Sequence, residues 1–295
     1  MAREESPLRR IAADFVADPL AVAGLALLAL ILVAALAAPL VSPQNPYDLA
    51  QLDIMDSRLP PGSHSAAGSV YWLGTDDQGR DMLSAILYGL RISLTVGVTS
   101  TVGALALGLV LGLAAAWLGG RTETAIMRIA DIQLSFPAIL IALILLAVLG
   151  QGVLKIVVAL IAVQWAYYAR TVRGAALVEQ RKAYVEAARG LALSASRIVF
   201  RHILPNCLPP LIVVATVQIA AAIALEATLS FLGVGLPITE PSLGLLIANG
   251  YQYLLSGKYW ISFFPGVALV LAIVSINLVG DRLRDALNPR LVGWR

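Results

Sequence analysis

Six apolar stretches divide this chain: Leu20 to Val41, Ile92 to Leu118, Ile126 to Leu149, Val153 to Ala169, Leu208 to Leu229 and Ile261 to Gly280. A helix needs roughly 20 such residues to cross the hydrocarbon core of a bilayer, and in lipid only helices and closed barrels keep every backbone polar group satisfied. The pattern predicts an all-α, polytopic membrane protein with six transmembrane helices. Composition agrees, because 59% of the residues are hydrophobic and 13% charged, whereas a soluble chain carries about 25% charged residues. The first stretch lacks a small-residue cleavage site and is followed by further spans, so it reads as a retained span rather than a signal peptide.

Loop charge sets the expected orientation. With both termini on the cytoplasmic side, most of the 21 lysines and arginines fall inside, and only Arg58, Arg80, Arg91, Lys155 and Lys258 fall outside; the opposite orientation inverts the positive-inside rule. The pI near 9.1 is thus a matter of membrane orientation, and nucleic acid is not an expected partner. Leu8, Ile11, Ala12, Phe15 and Val16 recur at helical spacing, which predicts an interfacial helix on the inner leaflet over residues 1–19. Residues 20–89 hold the first span and an outer loop, 90–284 the core spans with a cytoplasmic loop at 170–206, and 285–295 a cytoplasmic tail. The outer loop from Ser42 to Tyr88 is too small and polar for an independent catalytic domain.

Several chemistries are excluded by what the sequence lacks. A single cysteine, Cys207, forbids an internal disulfide, and His64 and His202 are too few and too far apart for a metal cluster. No phosphate-cradling GxxxxGK[ST] loop is present: the sole Gly-Lys pair, Gly257-Lys258, is followed by Tyr259. No HExxH occurs, and neither histidine is placed to activate a buried serine. Catalysis by this chain is not expected, and no cofactor or metal is expected on it.

The stretch from Tyr184 to Asn206 is basic and amphipathic. On a helix, Ala183, Ala187, Gly190 and Leu191 share one face of mostly small side chains that another protein can approach closely. Glu186 is within reach of Arg189 or Lys182. Ser194 is a candidate N-cap for a second helix, in which Ala195, Ile198, Val199, His202 and Ile203 form an apolar stripe. The loop reads as helix, turn, helix, with Pro205, Pro209 and Pro210 at the opening of the next span. Taken alone, such a loop also fits a plain cytoplasmic anchor between two spans.

The order Glu186, Ala187, Ala188, then His202, Leu204, Pro205, Asn206 resembles the EAA loop of permease subunits in binding-protein-dependent ABC importers. Further matches point to the peptide-type branch, the C-type subunit of dipeptide and oligopeptide importers: LGTDDQGRDMLSAILYGLRISL from Leu73, then Arg128, Asp131, Phe136 and Pro137, EATLSFLGVG from Glu226, and GDRLRDALNPRL from Gly280. The resemblance implies the type I importer permease fold in a bacterial cytoplasmic membrane. It implies as partners a homologous second permease, two ATPase subunits that hold ATP and Mg, and an extracytoplasmic solute-binding protein. It further implies that Ala183, Tyr184, Val185, Glu186, Ala187, Ala188, Arg189, Gly190 and Leu191 form a coupling helix seated on an ATPase. The family has glycine six residues after the glutamate; here Ala192 stands there, so the expected turn uses another geometry.

Polar residues inside spans are costly and are candidate functional groups. Gln164, Gln218, Glu226, Thr228 and Asn277 are candidates for the translocation path or a gate. For Glu226 a structural or gating role outweighs substrate recognition, because its pattern recurs in the family whatever the cargo. Asp76, Asp77, Arg80 and Asp81 are candidates for contact with the binding protein, or else cap a short helix beginning near Asp81. Gly108 and Gly112 form a GxxxG suited to close helix packing. The expected function is ATP-driven uptake of dipeptides or oligopeptides by alternating access. The alternatives are the same machinery moving nickel, glutathione, opines or oligosaccharides, an ion-driven transporter using Glu226, and a non-transporting scaffold.

Overall fold

The computed structural model describes residues 15–48, 52–65 and 68–287. Leu8, Ile11 and Ala12 of the expected interfacial helix lie outside them, as does most of the 285–295 tail. The described chain is helical, apart from a two-residue hairpin in the outer loop, β1 (Ser63–His64) with β2 (Val70–Tyr71). Helix α1 (Pro19–Leu36) begins at Asp18, whose carboxylate accepts from the Leu20 amide at 3.0 Å, and runs along α11 (Trp260–Leu287), with Gly24 facing Leu278. After the short α2 (Ala38–Val41) and the outer loop comes α3 (Met82–Leu118).

Among the described residues, five helices are long and apolar enough to cross a membrane singly: α1, α3, α6 (Val153–Gln180), the continuous helix from Ala195 to Phe231, and α11. The sixth expected crossing, Ile126 to Leu149, is not a single helix. It is α4 (Gly120–Leu134) followed by α5 (Ala138–Leu149), which meet at 95°. Pro137 causes the break, since its ring removes a backbone donor and disfavours helical backbone at Phe136. On its own α5 rises only about 18 Å, short of the ~30 Å core, and α4 carries Arg121, Arg128 and Asp131 among its apolar residues.

Other boundaries also move. Helix α3 starts ten residues before the expected span, so Asp81 caps a long helix rather than a short one: its carboxylate accepts from the Ser84 amide at 2.8 Å and the Ser84 hydroxyl at 2.6 Å. At 37 residues it rises about 55 Å, and its first turns are buried. The fifth span likewise starts before the expected Leu208, as α8 (Ala195–Ile198), a π-turn over Val199–Ile203 and α9 (Leu204–Phe231). The wider turn sits just ahead of Pro205, whose ring would meet the Arg201 carbonyl in a regular α-helix. A last short helix, α10 (Leu243–Tyr251), packs back onto α9 and α11.

The seam between α3 and α6 is built from small residues. Gly108 lies against the Trp165 carbonyl and Tyr168, and Gly112 against the Ala169 carbonyl and Val172. Helices in lipid gain nothing by hiding apolar surface from one another, so close packing of this kind carries the association. An added Cβ at Gly112 would lie 2.6 Å from that carbonyl. Gly112→Val is therefore expected to cost about 1–3 kcal/mol of overpacking and to lower the thermal unfolding midpoint of the purified protein in detergent. Gly174→Ala, where an added Cβ meets nothing within 4 Å, is expected not to lower it.

Candidate functional site

Helix α7 (Ala183–Gly190) leaves the C-terminal end of α6 after a sharp turn at Arg181 and Lys182. Val185 and Ala188 are buried, in one apolar cluster with Val172, Ala176, Ile198, Ile203 and Leu211. This pins one side of the helix to α6 and the α8–α9 column. The opposite side is exposed and carries Ala183, Glu186, Ala187, Gly190 and Leu191. An added Cβ on Gly190 would meet no atom within 4 Å, so nothing among the described residues covers that position.

The polar anchors differ from the pairing read in the sequence. Glu186 reaches neither Arg189 nor Lys182. Lys182 donates instead to Glu179, at 2.6 Å, and the Arg189 guanidinium lies over the Trp117 ring, 5.5 Å from its centroid. These cations are drawn to partners on neighbouring helices, which leaves the Glu186 carboxylate exposed on the outer face. Tyr184 stays exposed over much of its ring, while its hydroxyl donates to the Glu179 carboxylate and accepts from the Asn206 amide at 3.2 Å. Burial, together with the Glu179 carboxylate, pushes that hydroxyl up to about 12. Asn206 also donates to the His202 carbonyl at 2.7 Å. Sequence reasoning missed Glu179, although its place three residues before Lys182 on a helix was the available signal.

The turn after α7 corrects a second expectation. Ala192 has φ +55°, the left-handed conformation that glycine adopts without strain. The Leu193 amide donates to the Ala188 carbonyl at 3.2 Å and the Ala192 amide to the Arg189 carbonyl at 2.9 Å. These two bonds form a Schellman cap, and Leu193 packs in the same apolar cluster as Ala188. The glycine-type geometry is thus kept, at the cost of a strained alanine. Ser194 holds the N-cap position of α8 with extended backbone, but its side chain makes no capping bond.

The intramembrane candidates do not form one site. Glu226 is fully buried near the C-terminal end of α9, where its two carboxylate oxygens accept from Ser93 and Ser230, each at 2.8 Å. Gln164 and Gln218 do meet: the Gln164 amide donates to the Gln218 carbonyl at 3.2 Å. That is two turns before Glu226 along α9. Thr228 is exposed, with its hydroxyl donating to the Ala224 carbonyl at 2.7 Å. Asn277 is exposed on α11.

Of the four outer-loop candidates, Asp76, Arg80 and Asp81 are sealed from solvent. The Arg80 guanidinium donates through Nε to Asp76 at 2.7 Å and through a terminal nitrogen to the Ile238 carbonyl at 3.3 Å. The other Asp76 oxygen accepts the backbone amides of Gln78 and Arg80. These three residues hold the outer loop together in this conformation and offer no surface, while Asp77 alone is partly exposed.

Comparison with known proteins converges on one family. Residues 104–293 match the binding-protein-dependent transport system inner membrane component, and residues 6–61 the N-terminal transmembrane domain of oligopeptide transport permease C. A putative peptide transport system permease protein of Brucella suis is 42% identical over 91% of this chain and 87% of its own length. A di/tripeptide transport system permease protein of Pseudomonas aeruginosa is 38% identical over 97% and 93%. An oligopeptide transport system permease protein of Bacillus subtilis is 36% identical over 94% and 88%. In fold, a chain of the inward-facing MetNI methionine ABC transporter matches with a TM-score of 0.57 at 23% identity, covering 70% of this chain and 98% of that one.

The strained cap makes a direct prediction. Ala192→Gly is expected to stabilise the loop by about 1 kcal/mol, read as a raised midpoint for loss of a probe attached near α7. Ala192→Val, with a branched side chain in the same left-handed conformation, is expected to lower it.

Proposed function

Because the chain belongs to the family of binding-protein-dependent transport system inner membrane components, we propose that it is the non-catalytic permease subunit of an ATP-driven importer of short peptides. It pairs with a homologous permease, two ATPase subunits and an external solute-binding protein, and both of its termini face the cytoplasm. ATP and Mg belong to the ATPase subunits. Support for peptide cargo comes from the names of the relatives, which are peptide, di/tripeptide and oligopeptide permeases along nearly their whole length. The inner placement of α7 is supported by the concentration of basic residues in its loop.

The observation that carries the coupling role is the bare face of α7. A short helix is fastened on one side by buried Val185 and Ala188 and by the Tyr184–Glu179 bond. On its other side it presents small residues and a lone carboxylate, Glu186, to whatever lies below the membrane. A partner seated there moves α7 as a body. Since α7 is fastened to both α6 and the α8–α9 column, that motion reaches two spans at once. When the ATPases close on ATP, the two permeases then exchange outward and inward openings.

Glu186→Arg combined with Ala187→Trp reverses the exposed charge and adds bulk to the smooth face without touching a buried contact. In the co-expressed complex this variant is expected to abolish ATP-dependent peptide uptake, or to leave ATP hydrolysis running without uptake, while the permease still folds and inserts. Assembly and transport at the wild-type level would show that α7 is not the coupling element.

A further inference from the structure

The turn between α10 and α11 displays two leucines where a turn in water carries glycine, proline, asparagine, aspartate or serine. It runs through a short 3₁₀ helix, Leu254–Ser256, and its shape is fixed. The Ser256 amide donates to the Tyr253 carbonyl at 3.1 Å, the Gly257 amide to the Leu254 carbonyl at 3.2 Å, and the Lys258 amide to the Tyr253 carbonyl at 3.2 Å. Gly257 closes the turn with φ +79°, and the Tyr253 ring lies beneath the Arg58 guanidinium, whose central carbon is 5.3 Å from the ring centroid. Leu255 is nevertheless fully exposed, and Leu254 is exposed beside it.

Packing sets the level of this turn along the spans. Gly244, at the start of α10, lies against the Ala227 carbonyl, about one turn before α9 ends, and Gly250 lies against the Ser262 amide, two residues after α11 begins. Helix α10 therefore lies where both spans end, and the turn that follows it stands where the apolar run of α11 meets the headgroups of a bilayer. Tyr251 and Tyr259 flank the turn, and both are exposed. Tyr251 meets Phe231 edge to face, with 6.2 Å between ring centroids, and Tyr259 meets Phe263 at 6.4 Å. Tyrosine gathers at this level of membrane proteins because its ring is apolar and its hydroxyl is not. From Phe263 an exposed apolar stripe continues along α11 through Val267, Val270 and Val274, at helical spacing.

We infer that this turn is an anchor in the phospholipid leaflet on the side where α11 begins, with Leu254 and Leu255 entering the boundary between headgroups and acyl chains. The occupant is lipid because the leucines extend the apolar stripe of a membrane-crossing helix and stand at its end. The charge beside them also fits: Lys258 makes no ion pair among the described residues, and its sign is the one that headgroup phosphates attract. Since the turn follows α10 directly, lipid holds that helix from one side while α9 and α11 hold it from the other.

The test uses the assembled complex in nanodiscs of phosphatidylcholine and phosphatidylglycerol, with a nitroxide attached through Leu255→Cys. Cys207 is buried, and unsubstituted protein carried through the same labelling supplies the background. Power saturation compares collisions of the label with oxygen, which concentrates in lipid, and with a water-soluble nickel chelate. The ratio of oxygen to chelate collisions is expected to exceed severalfold that of the same label on free cysteine in buffer, and to stay unchanged when the solute-binding protein is added. A ratio equal to that of free cysteine places the turn in water. Loss of both collision rates places it beneath the second permease, and a fall in both only on adding the binding protein makes it that protein's docking site. Each of these three results overturns the inference.

Discussion

Close packing of α3 on α6 is the contact on which the inner half of the structure depends. Lipid supplies no hydrophobic force between helices, so adhesion rests on backbones coming near enough for dense van der Waals contact. Gly108 and Gly112 allow that approach, and the Gln180 side chain closes the inner end of the seam by donating to the Ala116 carbonyl at 2.9 Å. With α6 held to its last residue, Glu179 is a fixed point. Tyr184 and Lys182 bind to that point, and α7 takes its position from them. A helix of eight residues has little stability of its own. Its orientation is borrowed from the seam.

Broken backbone appears only where something can satisfy it. The π-turn over Val199–Ile203 lies at the inner end of the α8–α9 column, and the α4–α5 bend at Pro137 follows Ser135, whose amide and hydroxyl both bond back to the Asp131 carbonyl. The α4 helix is further fixed to α6 by ion pairs of Glu123 with Arg173 and of Asp131 with Arg170, and by Gln133, which donates to the Ala162 and Val163 carbonyls. These polar ties explain how a helix with mixed composition is held against a membrane span.

Hydropathy made the rough positions of five spans legible, because a long apolar run has one meaning in a bilayer, while the sixth run is the bent pair α4–α5. It did not reveal where helices continue past the apolar run. The inward extension through Ala195 to Ile203 is amphipathic, and its backbone bonds are local, so they leave no trace in mean hydropathy. The α4–α5 bend was announced by Phe136-Pro137, yet apolar residues on both sides read as one run. At Ala192 a propensity argument predicted a different turn, whereas the two cap bonds and the burial of Leu193 outweigh the strain of a left-handed alanine. The expected pairing of Glu186 does not form, because spacing identifies which residues are within reach but not which other neighbours compete for them.

The outer subdomain has an unusual order of assembly written into it. Arg80 completes its contacts on the Ile238 carbonyl, 158 residues downstream, and the Thr75 carbonyl waits for the Trp260 indole, 185 residues downstream. A chain emerging from the ribosome must therefore hold this segment unfinished until its last helix is delivered. Any protein truncated before α11 keeps the Thr75 carbonyl without its later partner, a chemical mark by which incomplete copies differ from finished ones.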